Sequence, residues 1–363
     1  MATRDLVDYL ELTCERGGSD LHVSVDSPPM ARVHGILSPL EDFNLDRDTC
    51  QTLILDVLSE TQRATLEETW ELDFALQVEG VGRFRGNVHF NRGRMEAAFR
   101  HIPSEIPEIE DLGHAEIVEK LCDVREGLII VTGITGSGKS TTLASMVKRI
   151  SERRSGVVVS IEDPIEYVFE HSMALVKQRE VGTDTQSFGA GLRHVLRQDP
   201  DVILVSEMRD LETIQTAVTA SETGHLVLST LHTIDAPKAL DRLIDAFPPD
   251  QQNQIVAQLA NALHAIVAQR LIPRADGKGR ALASEVMIMN HGVRACLRTK
   301  KFEQLVGLME IGAAEGMHTF DESLGALFAA REITEGEALA HARDQQRVLE
   351  EGDQKRGLFR RRK

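Results

Sequence analysis

The 363-residue sequence predicts an α/β protein with two main domains, and three observations lead to this fold class. The chain is longer than a single hydrophobic core usually organises. Beyond residue 113, short continuous apolar runs alternate with helical stretches, which is typical of a parallel sheet covered by helices. Before that point, short segments with alternating polar and apolar residues indicate a mixed α+β domain.

Residues 1–101 are predicted to form the smaller, mixed domain. Leu6, Val7 and Leu10 share one face of a short helix, which the pair Gly17 and Gly18 can end. The remaining predicted elements are strands at 21–25, 30–34, 74–78 and 84–90, a last strand that ends near Arg100, and a helical stretch over 46–69.

Residues 102–113 are predicted to be a linker, because two prolines block regular structure and acidic residues keep the segment solvated. The α/β core is assigned to 114–290, a helical region to 291–350 and a basic disordered tail to 351–363. The core strands are predicted at Leu128–Val131, Val157–Ile161, Val202–Val205 and Leu226–Ser229, with helices over Lys139–Ser151 and Leu211–Glu222.

Residues 133–140, Gly-Ile-Thr-Gly-Ser-Gly-Lys-Ser, match the phosphate-binding pattern G-x-x-x-x-G-K-S/T between a predicted strand and a predicted helix. Glycines let backbone amides turn toward phosphate oxygens, and the helix N-terminus adds its positive dipole end. Lys139 is expected to bridge phosphates and Ser140 to bind Mg²⁺. No asparagine is followed by lysine, so the guanine-reading N-K-x-D pattern is missing and ATP is favoured. The predicted phosphate-binding residues are Gly133, Thr135, Gly136, Ser137, Gly138, Lys139, Ser140 and Thr141.

Two further predicted strands end in carboxylates. The first is followed by Glu162, Asp163 and Glu166, and the second, over 201–207, ends in Glu207. Carboxylates at the carboxyl edge of a parallel sheet face the ligand crevice, where they can hold Mg²⁺ or orient the attacking water. The alternatives are turn-capping acids for the first group and a surface ion pair for Glu207.

Histidines and arginines give weaker signals. His225 stands before a predicted buried strand, and His232 stands just past it. These histidines are predicted either to sense the γ-phosphate or to be ordinary packed residues. Residues 1–101 contain ten arginines and no lysine, and five of the arginines fall within 83–100 beside a single acid, Glu96. Such a cluster indicates an arginine finger for a nucleotide, or equally a solvated strand face paired to acids.

Composition argues against several classes of protein. With 57 acidic and 41 basic residues, the net charge of −16 disfavours a chain that coats nucleic acid. No apolar run approaches the roughly 18 residues of a membrane span, and the N-terminus lacks the order of a signal peptide, so we expect a cytoplasmic protein. The four scattered cysteines, expected to be reduced and mostly buried, are Cys14, Cys50, Cys122 and Cys296.

The four motifs at 133–140, 161–166, 199–210 and 222–233 stand in the order found in the secretion ATPases, and the sequence resembles the type IV pilus retraction ATPases of that family. The resemblance runs from about residue 18 to 321. It implies a PAS-like N-terminal domain and a RecA-like ATPase core, assembled as a homohexamer that hydrolyses ATP with Mg²⁺. It also implies an inner-membrane platform protein as partner, a paralogous pilus ATPase as a further one, and a position at the inner face of the membrane at the pilus base.

Site roles carried over by the resemblance fall on matching positions of this chain. Glu166 becomes the base or water-orienting carboxylate, Glu207 the Walker B carboxylate, and Lys139 the catalytic lysine. The nucleotide is also approached by His225, His232, Arg85 and Arg100. The Mg²⁺ ligands, direct or through water, are Ser140, Glu162, Asp163 and Glu207.

Departures from the family pattern leave open the alternative that the chain is an accessory retraction ATPase. The segment associated with retraction stands here as Gly292–Thr299, which keeps Arg294 and Arg298 but loses two other polar residues of the pattern. Residues 277–280 and 320–321 are similar to those of an accessory retraction ATPase.

The tail 355–363 carries six basic residues and no acid. It is expected either to bind anionic lipid or a membrane-bound partner, or to have no role.

Overall fold

The computed structural model describes residues 4–33, 35–102 and 105–361, with the backbone alone from residue 354. The chain divides into two compact units. One contains residues up to Glu105 together with Pro164–Val168, and the other contains Ile106–Asp163 and Phe169 onward. The predicted mixed α/β fold class is confirmed, with a sheet-rich N-terminal unit followed by an α/β unit that ends in helices.

The first unit is a six-stranded antiparallel sheet with strand order β3-β2-β1-β6-β5-β4 and helices packed on it. Its buried face carries Leu21, Phe84 and Phe99, which pack with Tyr9 and Leu10 of the first helix. The strands are β1 Gly18–Val23, β2 Met30–Val33, β3 Ile36–Pro39, β4 Glu71–Val78, β5 Gly82–Asn91 and β6 Arg94–Ile102, and the helices are α1 Leu6–Glu15, α2 Arg47–Leu55 and α3 Glu60–Thr69.

The second unit is built on a seven-stranded sheet with order β13-β12-β7-β11-β10-β8-β9, parallel except for β13. Its strands are β7 Gly127–Thr132, β8 Gly156–Glu162, β9 Ala174–Glu180, β10 Val202–Val205, β11 Leu226–Leu231, β12 Leu263–Pro273 and β13 Arg280–Ile288. The central strands β7 and β11 are buried along their whole length, as their continuous apolar sequences predict.

Helices cover this sheet and continue beyond it. Those up to the last strand are α4 Glu116–Leu121, α5 Lys139–Arg153, α6 Phe188–Val195, α7 Leu211–Glu222, α8 Ala236–Asp245 and α9 Gln252–Ala262. The C-terminal helices are α10 His291–Thr299, α11 Leu305–Ile311, α12 Phe320–Ala329, α13 Glu335–His341 and α14 Gln345–Arg361. A second apolar cluster, which includes Phe320, Leu324 and Val348, joins the last helices to β12 and β13.

The structure differs from the sequence-based expectations at several elements. Strands β3, β9, β12 and β13 are additional, and the helical stretch over 46–69 is two helices, because Ser59 caps the second one. The predicted linker contains a 3-10 helix at Ile109–Leu112, with Ile109 buried. The tail expected to be disordered from 351 is helical through Arg361, since α14 is anchored by the fully buried Val348 and can propagate from there.

Candidate nucleotide-binding site

The carboxyl ends of four parallel strands meet at one edge of the seven-stranded sheet. The pairing Thr132 with Leu231 aligns β7 with β11, and Ser229 with Val205 aligns β11 with β10. The glycine-rich loop after β7, His232 after β11 and Glu207 beyond β10 therefore share this edge. Glu162, the last residue of β8, lies there too. The carboxylates at the strand ends thus lie at the same end of the sheet as the glycine-rich loop, as the strand pattern of the sequence predicts.

The glycine-rich loop joins β7 directly to α5. Gly138, with φ of 89°, is the N-cap of α5, and Gly133 has φ of 154°, so both positions use backbone conformations that favour glycine. Lys139 is 8% exposed, and its Nζ donates to the carbonyls of Gly133 at 2.9 Å and Ile134 at 3.1 Å. Ser140 is exposed in the first turn of α5. This is the geometry of an anion site at a helix N-terminus.

Glu207 lies between two cationic or protonatable partners. Its Oε2 is 2.8 Å from Arg209 Nη2, and its Oε1 is 3.2 Å from His232 Nε2. Burial opposes ionisation of this carboxyl, but Arg209 and His232 outweigh it and lower the pKa of Glu207 below its usual value. Glu207 is therefore a carboxylate at neutral pH, and the structure brings His232 into contact with it.

The remaining predicted carboxylates differ in their surroundings. Glu162 is 5% exposed, and its Oε1 accepts from Ser160 Oγ at 2.6 Å and from Gln178 Nε2 at 3.0 Å. Asp163 is exposed. The pKa of Arg209 is raised mainly by its hydrogen bond to Glu207 and by the charge of Glu207, and to a smaller extent by the charge of Asp163. Glu166 is exposed and belongs to the first unit, because Pro164–Val168 are part of it.

His225 lies at the amino end of β11, whereas the glycine-rich loop lies at the carboxyl ends of the strands. It precedes β11, whereas His232 follows it, and six residues of strand span about 20 Å. The ring Nδ1 of His225 is 2.9 Å from the carbonyl of Ala220. The structure thus brings His232 but not His225 to the loop of the same chain.

Arg85 and Arg100 lie opposite each other on β5 and β6 of the first unit. Arg100 Nε is 2.9 Å from Asp20 Oδ1, and Arg85 is exposed. In the strand register, Asp20 of β1 lies opposite Arg32 of β2. Three arginines and one aspartate therefore form a row across the sheet. Their proposed approach to a nucleotide remains a prediction.

Arg294, in the segment Gly292–Thr299, holds the end of a helix. Its guanidinium donates to the carbonyls of Ala260, of Asn261 at 3.1 Å and of Leu263 at 3.3 Å, and its Nε donates to Met289 at 2.6 Å. These carbonyls include those that the last turn of α9 leaves without a helical partner. Arg294 therefore caps α9 in this unit.

Polar side chains of the sheet that hydrogen-bond at the glycine-rich loop were not identified from the sequence. Thr132 Oγ1 donates to the carbonyl of Thr233 at 2.9 Å, which links the loop to the residue after His232. Gln269 of β12 is 1% exposed and contacts the loop at Ser137. Its only sequence signal is a glutamine within an apolar run, which by itself does not name a partner.

Within the described ranges 4–33, 35–102 and 105–361, no three His, Cys, Asp or Glu side chains surround a common point as metal ligands would. Over the same ranges, no helix has the length and apolar character needed to cross a bilayer.

A glycine-rich loop at the carboxyl edge of a mainly parallel sheet, beside an ionised strand-end glutamate, defines a P-loop nucleoside triphosphatase. The comparison with protein families is more specific. Residues 101–355 match the model of the type II/IV secretion system protein family. The chain belongs to this family of ATPases.

Individual relatives agree with this assignment over nearly the whole chain. The type IV pilus retraction ATPase PilT of Pseudomonas aeruginosa is 44% identical over 90% of this chain and 94% of its own length. The type IV pilus ATPase PilU of the same organism is 42% identical over 92% and 87%. The crystal structure of the pilus retraction motor PilT with bound ADP superposes with a TM-score of 0.89 at 45% identity, covering 94% of this chain and 98% of that one.

Proposed function

We propose that this protein is an ATP-hydrolysing motor that powers retraction of type IV pili. The observation that carries the proposal is the phosphate-binding loop beside the Glu207–His232 contact, in a chain 44% identical to a retraction ATPase over 90% of its length. A relative of the same fold was crystallised with ADP, which supports adenine nucleotides as the ligand class.

The loop and α5 supply the binding of phosphate. Lys139 Nζ, held by the carbonyls of Gly133 and Ile134, would exchange these contacts for phosphate oxygens. The residues present fit Mg²⁺, because the exposed Ser140 hydroxyl follows the loop and Glu207 is ionised at the same edge. Ser140 and Glu207 would hold it with Glu162 and Asp163 nearby, and it would neutralise charge on the phosphates.

The chain's own residues would then handle the attacking water. Glu207 is fixed by Arg209 and His232, so its carboxylate keeps one orientation when substrate arrives. We assign the base or water-orienting role to Glu166, and contact with the γ-phosphate side to His232. In the ring, the exposed Arg85 and its neighbour Arg100 would neutralise phosphate charge.

The assembly proposed for this motor is a homohexamer. It would work in the cytoplasm at the inner face of the membrane, against an inner-membrane platform protein at the pilus base. Each cycle of hydrolysis would convert chemical energy into motion of the ring and disassemble the pilus.

The experiment that tests this function is complementation of a deletion strain. We expect the deletion to leave cells hyperpiliated and non-motile, wild-type protein to restore twitching, and Lys139→Ala or Glu207→Gln to restore nothing. The purified variants should fold like wild type yet lose at least about 100-fold of the ATPase rate. Bald cells after deletion would mean assembly instead of retraction, and full turnover by Glu207→Gln would remove its assigned role.

An accessory ring subunit is the second candidate, because identity to PilU is nearly as high as to PilT. In that case the purified protein would bind ATP and form rings but hydrolyse ATP weakly. A robust ATPase rate of the isolated protein excludes this reading.

A further inference from the structure

The glycine-rich loop rests on a buried glutamine from a strand that follows it by more than a hundred residues. We propose that Gln269 is a positioning residue, which fixes the peptide between Ser137 and Gly138 so that its N–H points at phosphate. This inference rests on the proposed function, since it concerns binding of nucleotide by the same loop.

Two hydrogen bonds define how Gln269 is held. Its Nε2 donates to the carbonyl of Ser137 at 2.7 Å, and its Oε1 accepts from Thr142 Oγ1 at 3.0 Å. Both bonds are buried, and the side chain is 1% exposed. Rotating the amide by half a turn would set Oε1 against the Ser137 carbonyl, two acceptors facing each other, so its orientation is unique.

The loop packs directly on this residue. A Cβ at Gly133 would come within 2.5 Å of the backbone carbonyl of Gln269, and a Cβ at Gly138 within 3.2 Å of its Nε2. Strand register explains the proximity, because Ala268 pairs with Thr132, the residue before the loop. Two glycines of the phosphate-binding pattern are therefore required partly by the approach of Gln269.

Gln269 is itself held by a chain of hydrogen bonds that runs through Thr142 to His114. Thr142 uses its single hydroxyl proton toward Gln269, so its oxygen accepts from His114 Nε2, which is 3.0 Å away. The chain of donors runs from His114 to Thr142 and on to Gln269. Gln269 then donates in turn to the loop carbonyl.

The chemical consequence falls on the amide of Gly138. Donation to the Ser137 carbonyl holds the plane of the Ser137–Gly138 peptide and polarises it, which makes the N–H on its other side a stronger donor. In glycine-rich loops of this kind, backbone N–H groups carry the phosphate contacts. Gln269 thus organises a phosphate donor before nucleotide binds, which lowers the entropic cost of binding.

The test compares isosteric variants of the full-length protein by titration with ADP and by steady-state kinetics. Gln269→Leu keeps the volume but removes the buried donor that Gln269 supplies to the Ser137 carbonyl. We expect a rise of about ten-fold or more in the Kd for ADP and in the KM for ATP, with kcat changed by less than about three-fold. Thr142→Val should raise both constants by about three-fold, and Thr142→Ser should restore them.

Controls separate this inference from general destabilisation and from the proposed function. Gln258→Leu makes the same chemical change on α9, where the amide meets Glu222, and should leave the Kd unchanged. If Gln269→Leu fails to fold, the comparison of Thr142→Val with Thr142→Ser tests the inference. The inference is overturned when the Gln269 or Thr142 variants bind ADP like wild type while Lys139→Ala does not. Wild-type protein that binds no ADP at all would overturn the proposed function instead.

Discussion

His114 shows how a single buried side chain ties stability to pH. Burial, with a smaller contribution from the charge of His318, lowers the pKa of His114 from its ordinary 6.5 to about 4. The folded protein therefore holds this ring neutral where the unfolded chain would bind a proton. Its neutral Nε2 donor is also the start of the hydrogen-bond chain that ends at Gln269.

We predict that acid weakens the protein through His114. Because its pKa is depressed in the folded state, stability is full above about pH 6.5 and falls as the pH drops toward 4, with a loss of about 2 kcal/mol at pH 5. His114→Gln keeps a donor for Thr142 and removes the proton site. Urea unfolding at pH 7 and pH 5 should show a smaller loss for this variant.

The matched control for this measurement is His291→Gln, since His291 is exposed. His22, His101 and His264 also have pKa values lowered by burial, so the wild-type slope is shared and only the difference between variants is informative. An identical pH slope for His114→Gln and wild type would contradict the assignment.

At the scale of elements, the turn between α13 and α14 is fastened to the sheet by Arg343. Its Nη1 is 2.7 Å from Glu285 Oε2 on β13, and its Nη2 is 3.2 Å from Asp235 Oδ2 at the N-cap of α8. Its backbone N–H donates to Asp321 of α12 at 2.8 Å. Burial raises the pKa of the fully buried Glu285, and Arg343 offsets part of that effect.

Arg343→Met should therefore destabilise the protein strongly, by about 3 kcal/mol, because it leaves Glu285 buried without its cation. The double variant Arg343→Met with Glu285→Gln should recover a substantial part of this loss. Equilibrium unfolding in urea measures both values.

Arg347→Met is the comparison for this prediction. Arg347 pairs with Glu310 and Glu322, and both carboxylates keep some exposure, 32% and 19%. We expect this variant to cost about 1 kcal/mol. Equal losses for the two arginine variants would show that burial of Glu285 does not set the energy.

At the scale of the whole molecule, the net charge argues against an ATPase that moves along nucleic acid. The chain carries 57 acidic and 41 basic residues, and the last nine residues hold six of the basic ones. A net charge of −16 opposes approach to a phosphate backbone, which binds proteins through lysine and arginine.

We predict that duplex DNA leaves the ATPase rate of the full-length protein unchanged, within about 20%, at low ionic strength where electrostatic binding is strongest. The rate is measured with and without DNA at low and high salt. Stimulation at low salt that disappears at high salt would restore translocation along DNA as a candidate activity.

Much of the fold and the centre of the site could be predicted from the sequence, because the signals are local. Apolar runs gave β7, β8, β10 and β11, and the spacing of glycines and lysine in 133–140 identified the phosphate loop. Glu207 was expected at the same edge because the carboxyl ends of parallel strands meet there.

Contacts between residues that are distant in sequence become visible only in the packed structure. The order of strands places β12 beside β7, and only that order brings Gln269 to the loop and pairs Arg343 with the buried Glu285. The physical reason is that a buried polar side chain is satisfied by a partner remote in sequence, and no local periodicity records that partner. Local sequence patterns are enough to identify the phosphate loop and the strands that carry it, whereas the packing of the sheet sets which distant residues hold that loop in place.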